Sequence, residues 1–269
     1  MTIKNLDRLL STGAAGALGT ELRAGLAPCA KRLRLSDIAP MQPAGAAQEV
    51  VCCDLADKAA VDALIQGCHA IVHMGGVSVE RPFEEVLEAN IKGVFHIYDG
   101  ARRHGVKRVV LASSNHVVGF HERSERLDGD CLRRPDGYYG LSKSYAEDLS
   151  RFYFDRYGIE TACLRIGSCF PEPKDRRMLV TWLSYRDLIE LVSCCLRAPT
   201  LGHTIVYGVS ANRDAWWDNS RAAYLGFQAQ DSSEIFRSDV EALPASVNQD
   251  RAGRYQGGAY VEMGPFKSP

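Results

Sequence analysis

Tyr139 and Lys143 stand four residues apart in Tyr139-Gly140-Leu141-Ser142-Lys143, at the opening of a helix-like stretch. Residues at that spacing share a helix face, so a phenol and an ammonium can converge on one site. A free tyrosine titrates near pH ~10, too high for a base at neutrality. An adjacent Lys143 charge and the cationic nicotinamide ring of an oxidised cofactor would both favour the phenolate, and a drop of about 3 units corresponds to about 4 kcal/mol. Tyr139 is then expected to take a proton from a substrate hydroxyl, with Lys143 lowering its pKa. Ser114, on a loop leaving a strand, is expected to polarise the same oxygen by hydrogen bonding. Together these are the groups of a hydride-transfer site. A Tyr-x-x-x-Lys also arises by chance and serines end many strands, so the order of the surrounding elements decides the assignment.

The chain opens with a second chemical feature, Thr12-Gly13-Ala14-Ala15-Gly16-Ala17-Leu18-Gly19, after the apolar pair Leu9-Leu10. A strand that enters a tight turn lacking Cβ atoms lets backbone approach a pyrophosphate, and the next helix offers that anion its free N–H groups and positive dipole end. Gly13, Gly16, Ala17, Leu18 and Gly19 are therefore expected against a dinucleotide. Asp37 follows a second strand-like run at the distance where a carboxylate receives an adenosine ribose. A carboxylate repels a 2′-phosphate, and the glycine loop has no arginine, so NAD is expected over NADP. Arg32 and Arg34 are expected inside the strand.

Strand-like runs recur at Arg8 to Leu10, Arg32 to Leu35, Val50 to Cys53, Ala70 to His73, Val106 to Ala112 and Thr161 to Ile166. Helical spacing fills Ala17 to Leu26, Asp57 to Gln66 with Asp57 as N-cap, Phe83 to Arg103, and Tyr139 to Arg156. This alternation predicts an α/β fold, a Rossmann-type doubly wound parallel sheet, with ligands beyond the carboxyl ends of the strands. The chemically capable residues do follow strands: the glycine loop, Asp37, Asp54, Gly75-Gly76-Val77-Ser78 and Ser113-Ser114-Asn115-His116. Residues 1–166 are expected to form the NAD-binding domain. Residues 167–269 are expected to form a small substrate-binding region and tail, with a helix near Arg186 to Arg197 and a strand near Thr204 to Tyr207.

Composition narrows the partners. The 269 residues carry 32 basic and 33 acidic side chains without a charged block, which argues against nucleic acid and membrane surface and for a small molecule. Neither a signal-like N-terminus nor a run of roughly 18 apolar residues is present, so a cytoplasmic location is expected. The nine cysteines show no Cys-x-x-Cys spacing and are expected to be reduced. No metal is expected, because His69 and His73 flank a strand, where four-residue spacing does not share a face. His121 and His203 are expected at the surface, and Trp216 and Trp217 as the anchor of a tail.

The glycine loop, Ser114 and Tyr139-x-x-x-Lys143 resemble the extended short-chain dehydrogenase/reductase superfamily. Within it, Asp54-Leu55-Ala56-Asp57, His73-Met74-Gly75-Gly76-Val77-Ser78, Ala112-Ser113-Ser114-Asn115-His116, Arg165-Ile166-Gly167-Ser168-Cys169, Arg177-Met178-Leu179 and Trp216-Trp217-Asp218-Asn219 are similar to the bacterial uronate dehydrogenase family, through nearly the whole chain. The resemblance implies oxidation of C1 of D-galacturonate or D-glucuronate by NAD to an aldarolactone. It implies further cofactor contacts at Asp54, Leu55, Gly75, Tyr139, Lys143 and Ile166. For the sugar it implies Ser78, Ser114, Asn115, His116, Tyr139 and Ser168, with Arg177 on the carboxylate, and a homo-oligomeric assembly. From the residues alone, Arg177 beside Arg176 and Lys174 reads as a solvated charge run. Ala17 departs from an expected glutamine and Ser11 from an apolar residue. Two rivals keep the same fold: a nucleotide-sugar epimerase or dehydratase, disfavoured because only roughly 100 residues follow Ile166, and a nonenzymatic dinucleotide sensor, which needs no Tyr-Lys pair.

Overall fold

A computed structural model describes residues 6–42, 45–244 and 251–264. Its frame is a seven-stranded, all-parallel sheet. The strands are β1 (Leu6–Thr12), β2 (Ala30–Asp37), β3 (Gln48–Cys52), β4 (Ala70–His73), β5 (Arg108–Ser114), β6 (Glu160–Ile166) and β9 (His203–Gly208), in spatial order β3-β2-β1-β4-β5-β6-β9. A two-stranded pair, β7 (Ser168–Cys169) with β8 (Trp182–Leu183), stands apart from it.

Helices cover both faces, which explains why β5 is buried at every position and reads as a continuous apolar run. Leu9 points into the face packed by α1 (Ala17–Gly25) and α7 (Tyr185–Arg197), and Leu10 into the face packed by α2 (Lys58–Ile65), α4 (Gly93–Arg103) and α5 (Tyr138–Tyr157). Adjacent strand residues thus serve opposite cores. Asp57 caps α2 by accepting from the N–H groups of Ala59 and Ala60.

The structure departs from the sequence reading in four places. The seventh strand and α7 come from beyond Ile166, so the expected boundary at 166 cuts through the sheet rather than beside it. The stretch Phe83 to Arg103 is a short helix, α3 (Phe83–Val86), then a π-helical turn at Leu87–Lys92, then α4. The widened turn turns Asn90 inward, where its amide accepts from Val77 N at 2.8 Å and donates to Val77 O and Ser142 Oγ at 3.0 Å each. His121 is buried between Glu125 and the Leu132 carbonyl, and His203 is half-buried against Ser150. Both were expected at the surface. Trp217 does anchor the tail, stacking on Tyr207 at 5.0 Å.

Candidate active site

The strand order reverses between β1 and β4, and the loops after those strands part to open a cleft of about 850 Å³. Gly13 has φ +69°, and a Cβ there would lie 2.6 Å from the Met74 carbonyl carbon; a Cβ on Gly19 would lie 2.0 Å from the Gly13 oxygen. These glycines let the loop close against both the β4 loop and the start of α1. No side chain caps α1 at Gly16, so the first-turn N–H groups face the cleft without partners from the helix. Asp37 binds the loop to β2, its two oxygens accepting from Ala15 N and Ala39 N at 3.0 Å each. A carboxylate offers about four acceptor positions, so two remain for ribose hydroxyls. The unpartnered helix start and the Cβ-free cradle fit the pyrophosphate of NAD. Ser11 leaves its buried hydroxyl without a partner, and Ala17 lies exposed on the rim.

At the cleft's centre, Ser114 ends β5 and Tyr139 is the second residue of α5. Ser114 Oγ accepts from His116 N at 3.2 Å. Lys143 Nζ donates to the Ala112 carbonyl at 2.9 Å and sits 5.7 Å from the Tyr139 ring centre. Burial pushes the Tyr139 phenol up to about 12, with a hydrogen bond to Ser114 pulling the other way. Burial likewise pulls the Lys143 ammonium down to about 8. The lowering expected for the phenol needs the Lys143 charge together with the cationic nicotinamide ring to outweigh this cost of burial. His73 is neutral, pulled down to about 3 by burial and then by Lys143, and shares a 2.7 Å hydrogen bond with Thr12.

Two buried carboxylates fix α5. Glu80 accepts from Tyr138 N and Tyr139 N at 2.8 Å each, holding the start of the helix. Two turns on, Glu147 accepts from Ser113 Oγ at 2.6 Å and from Arg165 Nε and Nη2 at 2.9 Å, locking α5 to β5 and β6.

At the far end of the cleft the chain places Ser78, Asn115, His116, Ser168 and Arg177. The Asn115 amide, with its oxygen toward Arg177, accepts from Nη2 at 2.7 Å and donates to the Ile166 carbonyl at 3.1 Å. Arg177 Nη1 reaches Ser168 Oγ at 3.5 Å, and Ser168 Oγ bonds Thr181 Oγ1 at 2.9 Å. His116 Nδ1 bonds Asp136 Oδ2 at 2.7 Å. Arg177 is half-buried in the cleft wall rather than a fully solvated charge. Burial pulls its guanidinium down to about 10, and among the described residues its hydrogen-bond partners are neutral oxygens. A half-buried cation with spare N–H groups is suited to a carboxylate.

Every residue expected to meet cofactor or sugar lines this one cleft. Residues 9–185 match the NAD dependent epimerase/dehydratase family. Over nearly its full length the chain is similar to a uronate dehydrogenase of Pseudomonas syringae pv. tomato, 61% identical with 97% of this chain and 95% of the relative covered. A uronate dehydrogenase of Agrobacterium fabrum is 50% identical, with 97% and 99% covered. The chain belongs to the uronate dehydrogenases. A solved uronate dehydrogenase from Agrobacterium tumefaciens, a tyrosine-to-alanine mutant complexed with NAD, is 50% identical, with a TM-score of 0.94 over 97% of this chain and 99% of that one. As in the family, NAD is the cofactor. A UDP-galactose 4-epimerase at 17% identity and TM-score 0.71, over 84% of this chain and 94% of that one, shares the fold.

For a uronate dehydrogenase the sequence reading overlooked the roof. Tyr260, on a short 3-10 helix at Gly258–Glu262, lines the cleft and stacks on His116 with ring centres 3.7 Å apart. Asp136 and Gln256, which hold His116 and Arg177 from behind, were also unforeseen. None belongs to a motif. Asn90 did leave a trace, as a polar residue within an apolar helical face.

Proposed function

We propose that this chain oxidises C1 of a hexuronate, D-galacturonate or D-glucuronate, to the aldarolactone. The observation that carries the reading is Arg177, a half-buried guanidinium without an acidic partner within hydrogen-bond reach, at the end of the cleft that also holds Ser114 and Tyr139. It would receive the C6 carboxylate while Ser78, Asn115, His116 and Ser168 receive sugar hydroxyls. NAD, when bound along the glycine loop, supplies the hydride acceptor. Tyr139 takes the proton of the C1 hydroxyl, and Ser114 donates to the same oxygen as its charge develops. Taking that proton requires Tyr139 as its phenolate, which the Lys143 ammonium and the cationic nicotinamide ring would favour against the cost of burial. Lys143 Nζ, 5.7 Å from the ring centre, is the protein charge placed to favour that phenolate before the proton arrives.

The lactone, not an open acid, is the first product, because the ring oxygen stays bonded to C1. A nucleotide-sugar reading is the rival; Tyr260, which lines the cleft and stacks on His116, takes up room at the sugar end. Following NADH absorbance with uronates, neutral hexoses and nucleotide sugars tests the assignment. A nucleotide sugar turned over faster than both uronates overturns it.

We also propose a cytoplasmic homo-oligomer. All nine cysteines are free, as a reducing compartment maintains, and among the described residues no helix is long and apolar enough to cross a membrane. Tyr138, Leu141 and Phe152 form an exposed apolar stripe along α5. Light scattering of the purified protein should return more than one chain mass, and a monomer at micromolar concentration would remove the assembly proposal.

A further inference from the structure

We propose that Gln256 is a positioning residue for Arg177, setting the guanidinium by which a uronate is told from a neutral hexose; the inference rests on the reading that Arg177 binds the carboxylate. Gln256 is fully buried. Its backbone carbonyl accepts from Arg177 Nε at 2.8 Å. All its other polar groups are engaged with parts of the molecule that do not line the sugar site. Gln256 N donates to the His121 carbonyl at 2.9 Å. Its side-chain Nε2 donates to the carbonyls of Glu122 at 3.1 Å and Glu125 at 2.9 Å. Its Oε1 accepts from Trp217 Nε1 at 2.9 Å. Two carbonyls on one side and an indole N–H on the other leave the amide a single orientation.

The consequence falls on the guanidinium. Of its five N–H groups, Nε is held by Gln256, one on Nη2 by Asn115 and one on Nη1 by Ser168. One N–H on each terminal nitrogen remains for a carboxylate. Gly258, at φ +62°, wraps the stem so closely that a Cβ would lie 2.8 Å from Arg177 Cδ. The tail thus fixes both the stem and the inner edge of the group. Trp217 extends the support to β9 through its stack on Tyr207.

The test measures KM and kcat/KM for a hexuronate and for the matching hexose, with NAD affinity by fluorescence, in Gln256→Met, Trp217→Phe and Arg177→Ala. Gln256→Met keeps volume and removes the amide. It should raise the uronate KM about tenfold while hexose kcat/KM and NAD affinity stay within about twofold. Trp217→Phe keeps the stacked ring and removes one N–H; it should shift the uronate KM in the same direction, by about two- to fourfold. It decides the matter alone if Gln256→Met does not fold. In the Gln256→Met/Arg177→Ala double variant the uronate KM should be no worse than in Arg177→Ala. A parallel loss on uronate and hexose, or an unchanged uronate KM, overturns the positioning role. If Arg177→Ala itself leaves uronate efficiency intact, the carboxylate clamp is wrong. A collapse in Arg177→Ala with no effect of Gln256→Met leaves the clamp standing and removes Gln256 from it.

Discussion

The cofactor end of the cleft takes its shape from one contiguous stretch, residues 12–19, acting through backbone N–H groups and absent Cβ atoms. The sugar end is gathered from side chains at 114–116, 168, 177 and 260, with Asn115, His116, Ser168 and Arg177 held by other polar groups and Tyr260 by its stack on His116. Backbone recognition tolerates changes in side chains. Side-chain recognition depends on long-range support, so a change far from the sugar can reach it.

The largest effect expected is at the junction of the two ends. Tyr139→Phe removes the phenol oxygen and keeps the ring, so turnover should fall by about 10²- to 10⁴-fold while NAD affinity, measured by titration, is unchanged. Near-normal turnover would assign the proton to another group. Arg177→Ala should affect the sugar end alone, lowering uronate kcat/KM by about ten- to a hundredfold with hexose and NAD barely touched. Arg176→Ala is the control, because that exposed side chain donates to the Glu241 carbonyl; a large loss there instead would reassign the clamp.

Lys143 sharpens the comparison through stability. Its folded pKa of about 8 lies below the ordinary value of 10.5. Between those values the unfolded chain binds more protons, so this contribution to stability rises with pH across that window. Below it the buried charge costs about 3 kcal/mol in full. Loss of the bond to Ala112 returns about 1 kcal/mol. Lys143→Met should therefore be inactive yet more stable by about 2 kcal/mol at pH 7, with the gain in Tm shrinking as pH rises through 8 to 10. A lower Tm at pH 7 would contradict the burial cost. At the cofactor end, Asp37→Ala should lower NAD efficiency by about tenfold and narrow the gap to NADP. Steady-state kinetics with both cofactors check this, and an unchanged preference places ribose selection elsewhere. Ala17→Gln should change NAD affinity by only about twofold, since the backbone donors stay in place; a large gain would show that side chains matter here as well.

The same contrast governs what could be read in advance. β4 is found at Ala70–His73, where alternation of apolar runs and turns set it, and the glycine loop and the Tyr139 to Lys143 spacing are local patterns that survive as written. Tyr260, Asp136 and Gln256 carry no such pattern, because their partners lie tens of residues away and only folding brings them together. The π turn at Leu87–Lys92 escaped for a related reason: helical spacing across it stays nearly regular, and its use is visible only once Asn90 meets Val77 and Ser142. Spacing reports the Lys143 charge near Tyr139 and not the depth at which both groups are buried.

The roof at Gln256 to Tyr260 also sets a timetable for the newborn chain. The glycine loop, Asp37 and the β4 loop leave the ribosome early and can meet NAD once their strands pair. Arg177 waits for residues at the far end of the chain before its guanidinium is seated. Synthesis proceeds from the N-terminus, so dinucleotide capture can come before sugar competence. A chain ending at Pro244 would retain all seven strands and make a NAD-binding protein without its catalytic roof.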